Sequence, residues 1–164
     1  MVIFEQTGIK RACFRWLRQS FRLCAVTMLM VVVGAYVAAP SHAADDTDLI
    51  TGLMVDSYVK GVYVDRDETA VLKGFHPDFV LHVKRDEQIV LESLSQWLAR
   101  LDLDGTPGTQ LVDHKVGFID VAGDTATARL EIYLDGEHVF TDYFGFYRFE
   151  EGWRFINKIF YDNR

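Results

Sequence analysis

The side chains best suited to proton transfer are Tyr58, His76 and Asp78. His76 and Asp78 flank Pro77, and an imidazole that titrates near neutral pH can pass a proton as a general acid or base. The same Phe-His-Pro-Asp string is also typical of a turn, in which Asp78 bonds nearby backbone amides. The sequence therefore supports two interpretations of this pair, an acid/base site or a turn.

Tyr58 belongs to the first of two or three predicted helices. Apolar residues recur at three- and four-residue spacing from Ile50 to Val62, which predicts an inward stripe that includes Tyr58. From that stripe the hydroxyl of Tyr58 would donate a hydrogen bond either to a ligand or to a buried acceptor in the core. Trp97 lies beside the leucine stripe of a third helix that ends near Asp102, and we expect it to face the same space.

The second half of the chain, 109–162, is predicted to form four long antiparallel strands. Asp135-Gly136 is a two-residue hairpin turn, and Glu150-Glu151-Gly152 closes a second hairpin. If these turns set the register, the two-residue repeat of a strand assigns each side chain to a face. The face predicted to receive the helices carries Ala126, Ala128, Leu130, Ile132, Val139, Thr141, Tyr143, Gly145, Trp153, Phe155, Asn157 and Ile159. The opposite face carries Thr127, Arg129, Glu131, Tyr133, Phe140, Asp142, Phe144, Phe146, Ile156, Lys158 and Phe160.

Helices followed by a strand meander predict an α+β fold, in which the helices pack on a curved antiparallel sheet. A bent sheet that wraps one long helix leaves a conical space, which is a natural pocket for a small apolar or aromatic ligand. Tyr143, Trp153 and Asn157 share the predicted core face, so they would line this pocket together with Tyr58 and Trp97. An asparagine among apolar neighbours must find partners in the protein, in water or in a ligand.

The opposite face is too aromatic for a fully solvated surface. We expect a second subunit to cover it, which predicts a homodimer. The predicted contact residues are Phe140, Phe144, Phe146 and Phe160. On the same face Arg129 would lie opposite Asp142 as a cross-strand ion pair. Asp142 is the strand carboxylate that would serve as a base, but pairing with Arg129 or Lys158 would lower the pKa of its carboxyl group and favour a structural role.

No metal or cofactor site is predicted. The histidines after residue 43 show no metal-ligand spacing; they are His76, His82, His114 and His138. A glycine-rich phosphate loop and the spacing of a nucleophilic hydrolase are both absent from the sequence. The turn near Gly123 is too weakly defined to assign His114 to either face.

The first 43 residues are predicted to be a secretory signal peptide. Residues 1–22 carry five basic side chains against one acid, 23–39 carry no charge, and Ser41-His42-Ala43 places small residues two apart. This pattern predicts cleavage after Ala43 and export to the periplasm or beyond, which leaves the domain 44–164 free of the membrane. If it were not cleaved, the apolar run would act as a membrane anchor, because it approaches the ~18–20 residues that span a bilayer.

The segment after residue 43 is acidic and has no cysteine. Removing five basic residues and one acid from totals of 17 and 24 leaves 12 Lys and Arg against 23 Asp and Glu, a net charge of −11. Such a surface repels nucleic acid. Cys13 and Cys24 both lie in the predicted leader, so a disulfide, a thiol nucleophile and a thiolate metal site are all excluded from the domain.

Several short sequence motifs, taken together, are typical of one protein family. They are Tyr58-x-x-Gly61, Leu72-Lys-Gly-Phe-His-Pro-Asp-Phe-Val-Leu81, Val121-Ala-Gly-Asp-Thr-Ala126, Thr141-Asp-Tyr143 and Gly152-Trp-Arg-Phe-Ile-Asn-Lys-Ile-Phe160. In this order they resemble the "putative lumazine-binding" family of the nuclear-transport-factor-2-like superfamily, also called SnoaL-like or cystatin-like. The resemblance covers roughly residues 46 to 163.

The resemblance implies a cone-shaped α+β domain with a pocket, usually dimerising through its sheet. The superfamily contains ketosteroid-isomerase-like, dehydratase-like and cyclase-like enzymes beside binding and scaffold domains, so the fold alone does not choose among them. Three hypotheses follow. The first is an exported, non-catalytic domain that binds a small molecule as a homodimer. The second is a cofactor-independent acid/base enzyme that uses Tyr58 with His76 or Asp78. The third is a scaffold whose aromatic sheet face binds another envelope protein.

Overall fold

A computed structural model describes residues 42–164 of the chain. Residues 1–41, which hold almost all of the predicted leader, lie outside the described residues. The helices are α1 (His42–Leu53), which continues directly into a π-helical segment (Met54–Val64), α2 (Glu68–Gly74) and α3 (Leu94–Leu101). The strands are β1 (Phe75–Arg85), β2 (Gln88–Ser93), β3 (Val112–Ala122), β4 (Thr125–Leu134), β5 (Glu137–Phe149) and β6 (Gly152–Asp162). Within these residues, no helix has the length and apolar character needed to cross a membrane.

The π-helical segment changes which side chains share one side of the first helix. At its end the amide of Asp65 donates to the carbonyl oxygen of Lys60, five residues earlier, over 2.7 Å. In an α-helix of about 3.6 residues per turn, residues five apart point to different sides, whereas the five-residue pattern of a π-helix stacks them. Tyr58 and Tyr63 therefore lie together, and their hydroxyl oxygens are 3.1 Å apart. The predicted inward stripe is confirmed by the buried residues Ile50, Met54, Ser57, Tyr58, Gly61 and Val62.

The short helix α2 lies very close to the π-helical segment. A Cβ atom on Gly74 would come within 2.4 Å of the Cβ atom of Ser57, so only glycine permits this approach. A Cβ atom on Gly61 would lie 3.0 Å from a methyl carbon of Val71. These contacts fix the π-helical segment against α2. Helix α3 begins at a capping box, in which the Ser93 hydroxyl accepts from the amide of Gln96 and the Gln96 side chain accepts from the amide of Ser93.

The sheet has six strands in the order β2-β1-β6-β5-β4-β3. Strands β3 to β6 form the predicted antiparallel meander, with turns at Asp135-Gly136 and at Glu150-Glu151. Strand β1 pairs with β6 in parallel, so the sheet is mixed rather than wholly antiparallel as predicted. The α+β class is confirmed, because the helices pack against a curved, unclosed sheet.

A β-bulge between β4 and β5 changes the faces that the sequence predicts. Tyr133 pairs with His138, but the preceding Ile132 pairs with Phe140, so Val139 is an extra residue in β5. Because side chains alternate along a strand, one extra residue turns every later side chain to the other face. The side chains that thereby point toward the helices are Phe140, Asp142, Phe144 and Phe146.

A second bulge lies between β5 and β6. Phe146 pairs with Phe155, but Gly145 pairs with Asn157, so Ile156 is the extra residue. Before this bulge Trp153 and Phe155 face the helices, as predicted. Beyond it, the residues on the helix side are Lys158 and Phe160.

The predicted faces are therefore wrong for most of β5 and for the end of β6. Tyr143 and Ile159, which were expected in the core, are 40% and 53% exposed. They lie on the face of the sheet turned away from the helices, which we call the outer face. The expected pair between Arg129 and Asp142 does not form, because Arg129 lies opposite Tyr143 and binds Glu131 at 2.6 Å.

The predicted subunit contact is wrong for the same reason. Phe144 and Phe146 are buried in the core, and Phe140 and Phe160 pack against it. None of these four rings is available to a second subunit on the outer face. His114, which the sequence left unassigned, lies on the same face of β3 as Val112 and Val116, and both valines pack against the core.

Candidate functional site

An aromatic cavity of ≈240 Å³ opens between the π-helical segment, α3 and the ends of β5 and β6. Its apolar lining comes from side chains on all of these elements and from one residue of β1. The lining residues are Tyr58, Val62, Tyr63, Leu81, Trp97, Leu101, Phe140 and Phe160, together with the charged residues Arg100, Lys158, Asp162 and Arg164.

A buried polar set of three side chains, Tyr58, Asp142 and Lys158, forms the floor of this cavity. The ammonium group of Lys158 donates to the hydroxyl oxygen of Tyr58 at 2.5 Å and lies 2.8 Å from Oδ1 of Asp142. The hydroxyl of Tyr58 donates in turn to Oδ2 of Asp142 at 2.6 Å. Tyr58 and Asp142 are 0% exposed and Lys158 is 5% exposed, so the three groups pair with one another away from water. Among the residues that the structure describes, Oδ1 of Asp142 has the ion pair with Lys158 but no hydrogen bond.

Three elements have to meet for this set to form. The π-helical segment supplies Tyr58 and places Tyr63 beside it. The first bulge turns Asp142 inward on β5, and the second turns Lys158 inward on β6. The pairing of Asp142 with Lys158, one of two pairings considered from the sequence, is thus the one that forms.

Five aromatic rings surround the ammonium group of Lys158. Its nitrogen lies 4.7 Å from the ring centroid of Tyr58 and 5.1 Å from that of Phe160. The rings of Phe144, Trp97 and Phe140 follow at 5.7, 5.8 and 5.9 Å. Aromatic faces within about 6 Å attract a cation through their quadrupole, so these rings stabilise a positive charge at this nitrogen.

Burial shifts the pKa values of the groups in and beside the polar set. Desolvation raises the pKa of Tyr58 well above its ordinary value, and the nearby charge of Asp142 raises it further. Desolvation also raises the pKa of Tyr63, so both phenols remain protonated donors at neutral pH. For Lys158, desolvation lowers the pKa, although the charge of Asp142 opposes this shift.

The charges at the mouth of the cavity are paired as well. Arg100 donates to Oε2 of Glu92 at 2.6 Å. The guanidinium group of Arg164 bonds both carboxylate oxygens of Asp162 at 2.9 and 2.7 Å, and it lies 4.7 Å from the ring centroid of Phe140. Each cation around the cavity therefore has a carboxylate partner, and the cavity carries little net charge.

Two larger cavities lack a buried polar set. One of ≈690 Å³ lies between α2 and α3, and its polar lining residues, Glu68, Ser95, Asp102 and Arg154, are exposed or half-buried. The other, of ≈410 Å³, lies on the outer face. The aromatic cavity is therefore the stronger candidate, because convergent polar groups inside an apolar pocket distinguish a binding site.

The structure divides the predicted ligand-binding residues among three places. Tyr58 and Trp97 line the aromatic cavity. Tyr143 and Asn157 line the cavity on the outer face, where the Asn157 side chain lies across Gly145. Trp153 is buried in the core, and its indole nitrogen donates to Oδ1 of Asp46 at 3.0 Å. The expectation that these five residues share one cavity is therefore wrong.

Of the predicted catalytic residues, His76 and Asp78 lie side by side, with Nδ1 and Oδ2 3.7 Å apart, but neither lies beside Tyr58. The ring of His76 stacks on Phe149, with centroids 4.7 Å apart. The backbone amide of Asp78 donates to Nδ1 of His76 at 3.1 Å, and the Asp78 side chain is 93% exposed. Neither residue lines the aromatic cavity that contains Tyr58.

The other histidines also lie apart from the polar set. His82 lines the outer-face cavity, and Nε2 of His138 lies 3.0 Å from the carbonyl oxygen of Phe140. Within residues 42–164, His, Cys, Asp and Glu side chains form no group of three suited to a metal ion.

Lys158 and Asp142 face the cavity, although the sequence pattern assigned both to the opposite face of the sheet. The spacing of residues along β5 does contain a signal for the burial of Asp142. Asp142 shares its two-residue repeat with Phe140, Phe144 and Phe146. A lone carboxylate in a repeat of phenylalanines is more typical of a buried, paired charge than of a solvated strand face.

Comparison with known proteins identifies the family of this chain. Residues 45–161 match the family model described as "Putative lumazine-binding". The chain belongs to the putative lumazine-binding family. No curated protein matches it.

Members of the nuclear-transport-factor-2-like fold share the architecture of this putative lumazine-binding domain. A protein of unknown function from Shewanella baltica is 19% identical, with a TM-score of 0.64 over 77% of this chain and 99% of that chain. One from Silicibacter pomeroyi is 19% identical, with a TM-score of 0.63 over 74% and 98%. One from Methylobacillus flagellatus is 20% identical, with a TM-score of 0.59 over 79% and 97%. At these identities the likeness establishes the fold alone.

Removing one partner of the buried ion pair should strongly destabilise the fold. Lys158→Met and Asp142→Leu each leave the remaining group buried without its partner, and each should lower the free energy of unfolding by about 3–5 kcal/mol. The double variant should recover most of that loss, because both charges then leave the core. Chemical denaturation measures all three values.

The exposed pair between Lys60 and Asp56, 2.7 Å apart, provides the control. Lys60→Met should leave the denaturation midpoint unchanged, because exposed ion pairs contribute little. If the losses of the two core variants simply add in the double variant, Lys158 and Asp142 are not coupled.

Proposed function

We propose that this domain binds a small aromatic molecule through a carbonyl or similar acceptor oxygen, without turnover, as an exported homodimer. The observation that carries the ligand class is the buried polar set of Tyr58, Asp142 and Lys158 at the floor of the aromatic cavity. Aromatic walls provide the apolar contact, and a few placed polar groups set the orientation of the ligand.

The ammonium group of Lys158 has a donor to spare. A lysine ammonium carries three N–H donors. The hydroxyl oxygen of Tyr58 takes one of them, and Oδ1 of Asp142 lies 2.8 Å from the nitrogen as its ion-pair partner. Among the described residues, no other acceptor is hydrogen-bonded to this ammonium group. Because Lys158 lines the cavity, an acceptor oxygen of a ligand would complete its hydrogen bonding.

The charge distribution favours a neutral ligand over an anion. Lys158, Arg100 and Arg164 each have a carboxylate partner, and the domain as a whole is acidic. A carboxylate or phosphate would compete with existing partners inside a field that repels it. The carbonyl oxygen of an uncharged ring compound meets the free N–H without that penalty.

The volume of the cavity limits the size of the ligand. At ≈240 Å³ it is smaller than the roughly 300–1,000 Å³ of pockets that hold drug-sized molecules. A molecule with one or two rings is the class that fits. Trp97 and Phe160 line the cavity and would contact such a ring.

Binding without turnover is favoured over acid/base catalysis by where the proton-transfer residues lie. Catalysis of isomerisation or dehydration needs a base and an acid within hydrogen-bond reach of the reacting atoms. His76 and Asp78 are outside the cavity, and Tyr58 is held protonated by burial. The acid/base enzyme built on these three residues therefore lacks geometric support.

Export and dimerisation are supported by different observations. The basic, apolar and small-residue order of residues 1–43 supports a cleaved leader. Exposed apolar side chains on adjacent strands of the outer face support a second copy as its cover. They include Phe118, Tyr143, Tyr147, Ile159 and Tyr161.

Small aromatic carbonyl compounds should bind the protein, and Tyr58→Phe should weaken that binding. Benzamide is a suitable probe, because its oxygen accepts hydrogen bonds. Loss of the Tyr58 hydroxyl removes the acceptor that orients Lys158, so the Kd should rise by about tenfold, the equivalent of one hydrogen bond. Titration calorimetry measures both values, and Tyr147→Phe on the outer face is the control that should bind like the parent chain. Equal weakening by both variants would contradict the proposed site.

In its native host the protein should be recovered outside the cytoplasm, beginning at Ala44. A cleaved leader leaves this residue at the N-terminus. Cell fractionation and N-terminal sequencing check the prediction. A full-length chain in the membrane fraction would instead show the alternative anchor.

The purified protein should be a dimer that a charge on the outer face disrupts. Ile159→Asp places a carboxylate among exposed apolar side chains, so it should yield a monomer in light scattering. Leu111→Asp is the matched control, since Leu111 is 79% exposed outside the strands, and it should remain dimeric. A dimer that survives Ile159→Asp would place the interface elsewhere.

A further inference from the structure

Lys158 combines features that suit carbonyl chemistry. Its amine borders a cavity, it is 5% exposed, and its nitrogen contacts both a phenol and a carboxylate. Lysines that form imines in proteins are desolvated and have proton-transfer partners close by. The polar set gives Lys158 both properties.

We propose that the ε-amine of Lys158 condenses reversibly with the carbonyl group of a small aromatic aldehyde or ketone, which is then held as a protonated imine. The inference rests on the proposed binding function and names the ligand class of the same cavity. It assigns Lys158 a covalent role in binding.

The reaction balances without an additional reagent. The nitrogen of Lys158 forms a bond to the carbonyl carbon, and the carbon–oxygen bond breaks. Two hydrogens of the ammonium group leave with the oxygen as water. The positive charge stays on the nitrogen, so the net charge of the site is the same before and after condensation.

The surroundings of the nitrogen stabilise the product as they stabilise the resting lysine. Asp142 lies 2.8 Å from it, and the remaining N–H of the imine can still donate to that carboxylate. The five rings that face the ammonium group also face an iminium group at the same position. The apolar cavity disfavours the water needed for the reverse reaction, which favours the bound state.

Nucleophilic attack requires a neutral amine, and two observations bear on it. The hydrogen bond to Tyr58 and the ion pair with Asp142 hold the nitrogen where Lys158 lines the cavity. Loss of one proton of the ammonium group to water leaves a lone pair that can attack the carbonyl carbon of the ligand. Burial lowers the pKa of Lys158 and so increases the neutral fraction.

Reductive trapping tests the proposal on the full chain. The protein is incubated at neutral pH with benzaldehyde and sodium cyanoborohydride, and peptide mapping by mass spectrometry then locates the benzylated lysines. Lys84 and Lys115 are internal controls, since their side chains are 67% and 68% exposed. Burial lowers the pKa of Lys158, so a larger fraction of its amine is neutral than in either exposed lysine, and Lys158 should be modified faster than both controls. Modification that follows exposure and spares Lys158 would overturn the proposal.

Benzamide separates this inference from the proposed function. Its carbonyl group accepts hydrogen bonds but does not condense with amines, so it should bind and should slow the trapping of Lys158 alone. Binding of benzamide without any trapping of Lys158 overturns the covalent role and leaves the binding function standing. If neither occurs, both are overturned. Lys158→Arg keeps the positive charge but removes the nucleophilic amine, so this variant should lose the rapid benzylation. The comparison of Lys158 with Lys84 and Lys115 uses the parent chain alone and does not require any variant to fold.

Discussion

The burial of one charged pair, Lys158 with Asp142, constrains the rest of the structure. Taking two charges out of water costs several kcal/mol per ion, and their attraction offsets this only with tight geometry and further hydrogen bonds. The 2.8 Å contact and the Tyr58 hydroxyl that bonds both partners meet that need. Because the three side chains come from the π-helical segment, β5 and β6, the pair fixes these elements in a single arrangement.

Much of the fold followed from local patterns in the sequence. The inward stripe of the first helix, the hairpin turn at Asp135-Gly136 and the order of the elements are each fixed by neighbours along the chain. The two bulges are not fixed in this way, because the two-residue repeat of a strand does not show where an extra residue such as Val139 or Ile156 is inserted. Since a shift by one residue exchanges the faces, correct turns still led to a wrong assignment for β5. The parallel pairing of β1 with β6 is likewise a long-range choice that local patterns do not contain.

The candidate site was predictable in its apolar part and not in its polar part. Tyr58 and Trp97 line the cavity, and both could be predicted because their positions follow from the helical periodicity of the sequence. Lys158 and Asp142 face inward only because of the bulges, so the sequence pattern assigned both to the face opposite the helices. The same error explains the predicted dimer surface, in which the phenylalanines were interpreted as an exposed patch although three of the four face the ammonium group. The three- and four-residue spacing of the first helix predicts α-helical turns, so the contact between Tyr58 and Tyr63 in the π-helical segment was missed.

The interactions that allow the charged pair to be buried also restrict what the cavity can accept. A ligand that brings its own charge would unbalance a site in which each cation already has a carboxylate partner. A neutral carbonyl compound adds no charge when it binds, and condensation with Lys158 would keep the positive charge where the rings and Asp142 already stabilise it. Electrostatic balance therefore links stability and selectivity in this domain: the same contact that makes Lys158 tolerable in the core determines which chemistry its nitrogen can perform.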